Sequence, residues 1–242
     1  TRRSLQWINE QMFVYVLRQR EDVQLKILET VEPFFRMARS HGEFLGPNKT
    51  TGSLSVQLRT GNGDVLDAGR IFEPTMDSYV EAIDKMAERM LQDDNKVLTV
   101  VYLASNNPEK TYISAEHMSR TYPRSFRYYE LPHIHLGAGD PLRAHRNNVN
   151  GAAHTYTNLD LHAEFYTDIY AYSHTDYFIG SSTSFVYKCA SLLRSSYGLK
   201  KSSTCLVSFS SKENHLVCED EATHYEALYK EMFGYQGGTM FA

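Results

Sequence analysis

The chain has 242 residues, 42% hydrophobic and 22% charged, which is material for one large domain or two small ones and excludes wholesale disorder. A net charge of −4 with no long basic run argues against a general nucleic-acid binder or a membrane-surface protein. The three cysteines form no CxxC, and the ten histidines are scattered without zinc-ligand spacing, so no metal site is expected.

The pattern predicts helix over residues 5–39. Met12, Val16 and Leu17 share one face, Val23, Ile27, Leu28 and Val31 share another, and Pro33 acts as punctuation. Residues 40–52 read as loop by composition and 53–59 as a strand, followed by a polar loop closed at Pro74. Over 75–92, Tyr79, Val80, Ile83, Met86, Ala87, Met90 and Leu91 recur at threes and fours, as in an amphipathic helix. Asp93 and Asp94 then read as a solvated helix end rather than a metal-binding pair. Val97 to Ala104 is a continuous apolar run of strand length, typical of a parallel strand buried on both faces.

A helix is expected over 109–121 and a strand over 126–131. Residues 132–158, rich in Gly, His, Arg and Asn, form a loop of functional length. Helices follow at 160–173, 182–196 and 220–233, with strands at 176–180 and 207–209. Such alternation implies an α/β fold: a Rossmann-like parallel sheet with helices on both faces. Residues 1–39 are expected to be a helical connection from a preceding region, and 40–242 one Rossmann-like domain. No signal peptide or transmembrane run is legible, so membrane attachment is expected only through an anchor upstream of Thr1. The 17 tyrosines are expected mostly at half-buried positions with the hydroxyl wet. Cys205 and Cys218 are close enough to bridge across a short loop, which the count alone does not decide.

Three segments carry chemistry. Ser55-Val56-Gln57-Leu58-Arg59 is a strand ending in an arginine beside Thr60-Gly61-Asn62-Gly63-Asp64. Open α/β sheets bind ligands at the carboxyl ends of their strands, and a planar guanidinium there suits a phosphate. Ser105-Asn106-Asn107-Pro108 ends the apolar strand. Asp168 lies on a helix, followed by a short strand and the Ser181-Ser182-Thr183-Ser184 turn that opens the next helix. Free N–H groups and hydroxyls at a helix N-terminus make an anion site, and a carboxylate can accept two N–H groups from a guanine edge. Taken alone, Ser181 to Ser184 also read as capping residues, Asp168 as a surface charge, and Arg143 and Arg146 as solvated. His135 and His174 are substrate-contact candidates that no pattern singles out.

Together these segments resemble the donor-binding half of the GDP-fucose-dependent fucosyltransferases of the GT-B type. That group includes the α1,6 core-glycan enzymes, their bacterial nodulation relatives and the protein O-fucosyltransferases. The resemblance runs from about Phe13 to Gly198. It implies one half of a GT-B fold and inverting transfer of fucose from GDP-fucose to a glycan or protein hydroxyl. Residues implied to bind the nucleotide sugar are Gln57, Arg59, Asn106, Asp168, Thr183 and Ser184. Those implied in catalysis are Arg59, with the base among Asp64, Asp67 and Glu73 or, as in other relatives, supplied by the amino-terminal half. No metal or other cofactor is implied.

Family habit points to the ER or Golgi lumen. The sequon at Asn48-Lys49-Thr50 has meaning only in such a compartment. The chain departs from the core-glycan enzymes in having one arginine and no histidine in Gln57-Leu58-Arg59-Thr60, and no carboxylate in Ser105-Asn106-Asn107. Two other readings remain: a GT-B enzyme using another nucleotide sugar, and a non-catalytic fucosyltransferase-like scaffold.

Overall fold

A computed structural model describes residues 21–40, 49–58, 75–105, 115–131, 158–181, 185–209 and 214–218. Its strands are β1 (Thr50–Leu58), β2 (Lys96–Ser105), β3 (Arg127–Glu130), β4 (Tyr177–Ser181), β5 (Thr204–Phe209) and β6 (Asn214–Cys218). The helices are α1 (Glu21–Ser40), α2 (Met76–Asp94), α3 (Ala115–Thr121), α4 (Asn158–His174) and α5 (Phe185–Ser196). The strands form one sheet in the order β3-β2-β1-β4-β5-β6. All neighbouring pairs are parallel except β5 with β6. The fold is therefore α/β and Rossmann-like, and the strand order reverses between β1 and β4.

Both faces are covered, as the apolar run in β2 requires. On one face Leu54, Val56, Val101, Leu103 and Ile179 pack against Tyr79, Ile83, Met86 and Met90 of α2 and Met118 of α3. On the other, Val100, Tyr102, Ala104 and Phe178 meet Val31 and Phe34 of α1, Ala171 and Tyr172 of α4, and Tyr187 and Ala190 of α5. Alternate residues of each strand serve alternate faces. Each fully buried apolar side chain contributes about 1.5–3 kcal/mol of transfer free energy.

Local signals set the ends of α2. The Thr75 hydroxyl accepts from the Ser78 backbone N–H at 3.3 Å, and Asn95 closes the helix in the left-handed region at φ 53°. Helix α1 runs through Pro33, as the helix read over 5–39 requires. Its buried stripe is Val23, Ile27, Val31, Phe34 and Ala38, of which Val31, Phe34 and Ala38 join the core on the sheet, while Leu28 faces solvent at 44% exposure. Thus the described part of residues 1–39 shares the core of the sheet; expectations for residues 1–20, the long loop over 132–157 and the helix over 220–233 lie outside the described residues.

The sheet also carries an antiparallel strand that composition did not reveal. In β6, Cys218 stands opposite Cys205 of β5, and the two are bonded as a disulfide. Both are buried, at 1% and 0% exposure. The tyrosines depart from expectation too: Tyr79, Tyr102, Tyr172, Tyr177 and Tyr187 are all 2% exposed or less. A phenol this deep needs a partner for its hydroxyl. Tyr177 donates to Asp94 at 2.9 Å and Tyr102 donates to Asp168. Among the described residues no helix is long and apolar enough to cross a membrane.

Candidate functional site

In an open parallel sheet, ligands bind outside the carboxyl ends of the strands, where the strand order reverses. Here that point lies between β1 and β4. Val56 of β1 pairs with Ile179 of β4, and on its other side β1 ends with Leu58 paired to Ser105, the last residue of β2. β4 ends at Ser181, and α5 begins at Phe185. Three strands therefore deliver the chain to one edge: β1 just before Arg59, β2 just before Asn106, β4 just before Ser182-Thr183-Ser184.

Of the nine residues expected at the site, Gln57 and Asp168 fall within the described residues. Arg59, Asp64, Asp67, Glu73, Asn106, Thr183 and Ser184 lie outside them, as do His135, Arg143 and Arg146. Gln57 is the penultimate residue of β1 and is half-buried, with its carboxamide oxygen shut off from solvent.

Asp168 sits on the inner side of α4, half-buried rather than on the open surface. Its Oδ1 accepts a hydrogen bond from the Tyr102 hydroxyl on β2. Tyr102 is itself wedged among rings: Phe34 at 5.2 Å, Tyr172 at 6.1 Å and Tyr129 at 6.4 Å between centroids. Edge-on and offset contacts of this kind favour one ring position. Burial first, and then the Asp168 charge, push the Tyr102 hydroxyl well above its ordinary pKa, so it stays protonated and can only donate to the carboxylate. Sequence reasoning singled out Asp168 but missed Tyr102; the signal was one hydroxylated ring in the otherwise apolar run Val100-Val101-Tyr102-Leu103-Ala104.

The other carboxylates near the motifs hold the opposite, amino edge of the sheet. Asp176 accepts from the Ser53 backbone N–H at 2.8 Å, from the Ser53 hydroxyl at 2.9 Å, and from Lys96. Asp94 is not merely a solvated helix end: it binds Tyr177 and Lys200. Its carboxyl is held below the usual value, chiefly by the Lys200 hydrogen bond. Nearby, Thr175 donates its proton to the Tyr177 carbonyl at 2.9 Å, so in its 2.7 Å contact with Ser55 the serine is the donor.

Arg194 of α5 was not anticipated at all. It is 1% exposed. Its Nε donates to Thr204 Oγ1 at 2.8 Å, and Nη1 to the carbonyls of Tyr172 and Thr175 at 3.0 and 2.7 Å. Nη2 reaches the Asp176 carbonyl and the Ser203 hydroxyl, both at 2.8 Å. The guanidinium thus closes the carboxyl end of α4, where helix carbonyls lack partners and carry partial negative charge. This fixes the α4–β4 turn, and with it the course of β4 toward the carboxyl edge.

His174 lies over the same turn. It stacks on Tyr170 at 3.8 Å with its outer side exposed, and desolvation beside the packed rings holds its pKa below the ordinary imidazole value. It ends α4, the helix that precedes β4, so it does not lie at the strand ends that lead to Arg59 and Ser184. Among the described residues no group of three His, Cys, Asp or Glu is arranged to hold a metal.

No protein-family model matches the sequence, and neither does any curated protein. Solved structures similar to the chain include NodZ alpha-1,6-fucosyltransferase soaked with GDP-fucose, at 14% identity and TM-score 0.42, covering 83% of this chain and 49% of that one. The same enzyme co-crystallised with GDP matches at 13% identity and TM-score 0.37, with 82% and 48% covered. A point mutant of Arabidopsis thaliana FUT1 in complex with GDP matches at 15% identity and TM-score 0.38, with 77% and 33% covered. The chain spans about half the length of the first two and a third of the last. Likenesses of this size assign neither family nor activity.

Proposed function

We propose that this chain is the donor-binding half of an inverting GT-B glycosyltransferase that moves fucose from GDP-fucose to a hydroxyl of a glycan or protein. The observation that supports it best is the convergence of β1, β2 and β4 on one edge at the reversal of strand order, each ending just before a motif residue. In this reading Arg59 grips the diphosphate, and Thr183 and Ser184 meet it at the start of α5. Asn106 and Gln57 line the same donor, and Asp168 takes the guanine edge.

In the reaction the acceptor oxygen attacks the anomeric carbon as the bond from that carbon to the diphosphate breaks. The acceptor proton passes to a carboxylate, proposed among Asp64, Asp67 and Glu73. Arg59 and the helix terminus stabilise the charge that develops on departing GDP, a task fixed cationic and N–H donors perform without a metal. The lumen of the ER or Golgi suits this reading, because a buried disulfide such as Cys205–Cys218 is formed in oxidising compartments.

The test is ligand-induced thermal stabilisation of the 242-residue chain by GDP, UDP and ADP without added metal, followed by GDP-fucose turnover. The expected result is a GDP-selective rise in melting temperature, with turnover removed in Arg59→Ala and the fold retained. A preference for UDP or ADP would make the donor another nucleotide sugar. A second reading, a fucosyltransferase-like scaffold without catalysis, is favoured by the lone arginine of the first motif and by Ser105-Asn106-Asn107. It predicts no turnover at any acceptor.

A further inference from the structure

We propose that Tyr102 is a positioning residue for base selection: it aims the Asp168 carboxylate so that the site distinguishes guanine from purines lacking the exocyclic amine. This inference rests on the GDP reading above and adds to it a specific residue that does not itself touch the base.

The geometry behind it is on both sides of one hydrogen bond. Asp168 stands half-buried on α4, a helix that carries the carboxylate but not its orientation. A carboxylate on Cβ turns about two torsions, and a guanine edge with two parallel N–H donors engages it only in one plane. Tyr102 contributes to fixing that plane by donating to Oδ1. The phenol can do so because it is fully buried, with the ring of Phe34 from α1 edge-on to it and Tyr129 of β3 stacked against it. Its register is set as well: Tyr102 pairs with Ser55 of β1 and Tyr129 of β3, so the hydroxyl is placed by the sheet rather than by a loop. Donation lowers the charge on one oxygen and leaves the anion intact, which suits an acceptor of neutral N–H groups.

A merely structural hydrogen bond would look the same in the apo protein, so the test must read base choice rather than stability. Binding of GDP and of inosine diphosphate, which lacks the exocyclic amine, would be measured by calorimetry for the wild-type chain, Asp168→Asn, Tyr102→Phe and Tyr177→Phe. The last variant removes a part-buried tyrosine-to-aspartate hydrogen bond on the opposite face of the sheet, and so controls for stability loss.

The expected result is a wild-type preference for GDP that is lost in Asp168→Asn. It should fall about tenfold in Tyr102→Phe, the scale of one hydrogen bond to a charged group, and be unchanged in Tyr177→Phe. If Tyr102→Phe keeps the wild-type ratio while Asp168→Asn loses it, the donor reading stands and Tyr102 is only a core residue. If the wild-type chain binds neither nucleotide, or Asp168→Asn keeps the preference, the guanine role of Asp168 falls and takes this inference with it.

Discussion

Arg194 offers the sharpest test of the physical account. Replacing it with Met keeps the aliphatic stem and deletes the guanidinium. The carbonyls of Tyr172, Thr175, Asp176 and Ser203 then lose a donor in a place water reaches poorly, since the site is 1% exposed. Hydrogen bonds to a charged group contribute about 1.5–3 kcal/mol each when removed singly. They act here as one unit and do not add; the α4 end relaxes and water recovers part of the loss. Breaking a buried charge network of this size costs about 3–5 kcal/mol. In a chain of this length 1 kcal/mol moves the melting temperature by about 2–4 °C, so Arg194→Met should melt about 10 °C lower. Arg194→Lys keeps the charge but has three donors and no planar fork, and should lose about half as much. The assay is circular dichroism during heating, at fixed protein concentration. A Met variant melting within about 2 °C of wild type would show that the arginine does not hold the α4–β4 turn.

Two further expectations concern the sheet. Reducing Cys205–Cys218, or changing both to Ser, frees a loop of sequence separation 13 and should cost about 3 kcal/mol, read as a lower urea midpoint; equal midpoints with and without reductant would refute a stapling role. On β4, a Cβ at Gly180 would lie 2.3 Å from the Tyr187 ring, whereas one at Gly52 would meet the flexible Met90 thioether. Gly180→Ala should therefore cost about 2 kcal/mol and Gly52→Ala less, and the reverse order in denaturant melts would contradict the packing described.

Much of the fold was legible because each element announces itself within its own length. The apolar run of β2 demands cover on both faces, and the stripe Tyr79, Val80, Ile83, Met86 and Met90 demands a sheet to lie on. Alternating strands and helices leave few arrangements open, and the parallel order with its reversal at β1 and β4 is one of them. The strand-end positions before Arg59, Asn106 and Thr183 follow from the same pattern, since each motif directly succeeds an apolar segment. Pro33 is tolerated inside α1, because its missing N–H and its ring matter less once Val31 and Phe34 gain a buried face. β6 was missed because a short edge strand carries little periodicity, and its evidence lies in a partner and a disulfide distant along the chain.

The sequence by itself determined the α/β class and the placing of the segments that begin at Arg59, Asn106 and Ser182 at strand ends, because hydrophobic period and residue type are local properties. Only the tertiary structure decided what those residues meet. Tyr102 reaches Asp168 across 66 positions, and Asp176 reaches Ser53 across 123. Arg194 gathers carbonyls from α4, the turn before β4 and the turn before β5. Such partners are chosen by sheet register and by the cost of leaving a buried polar group unpaired, and neither quantity exists until the chain has folded.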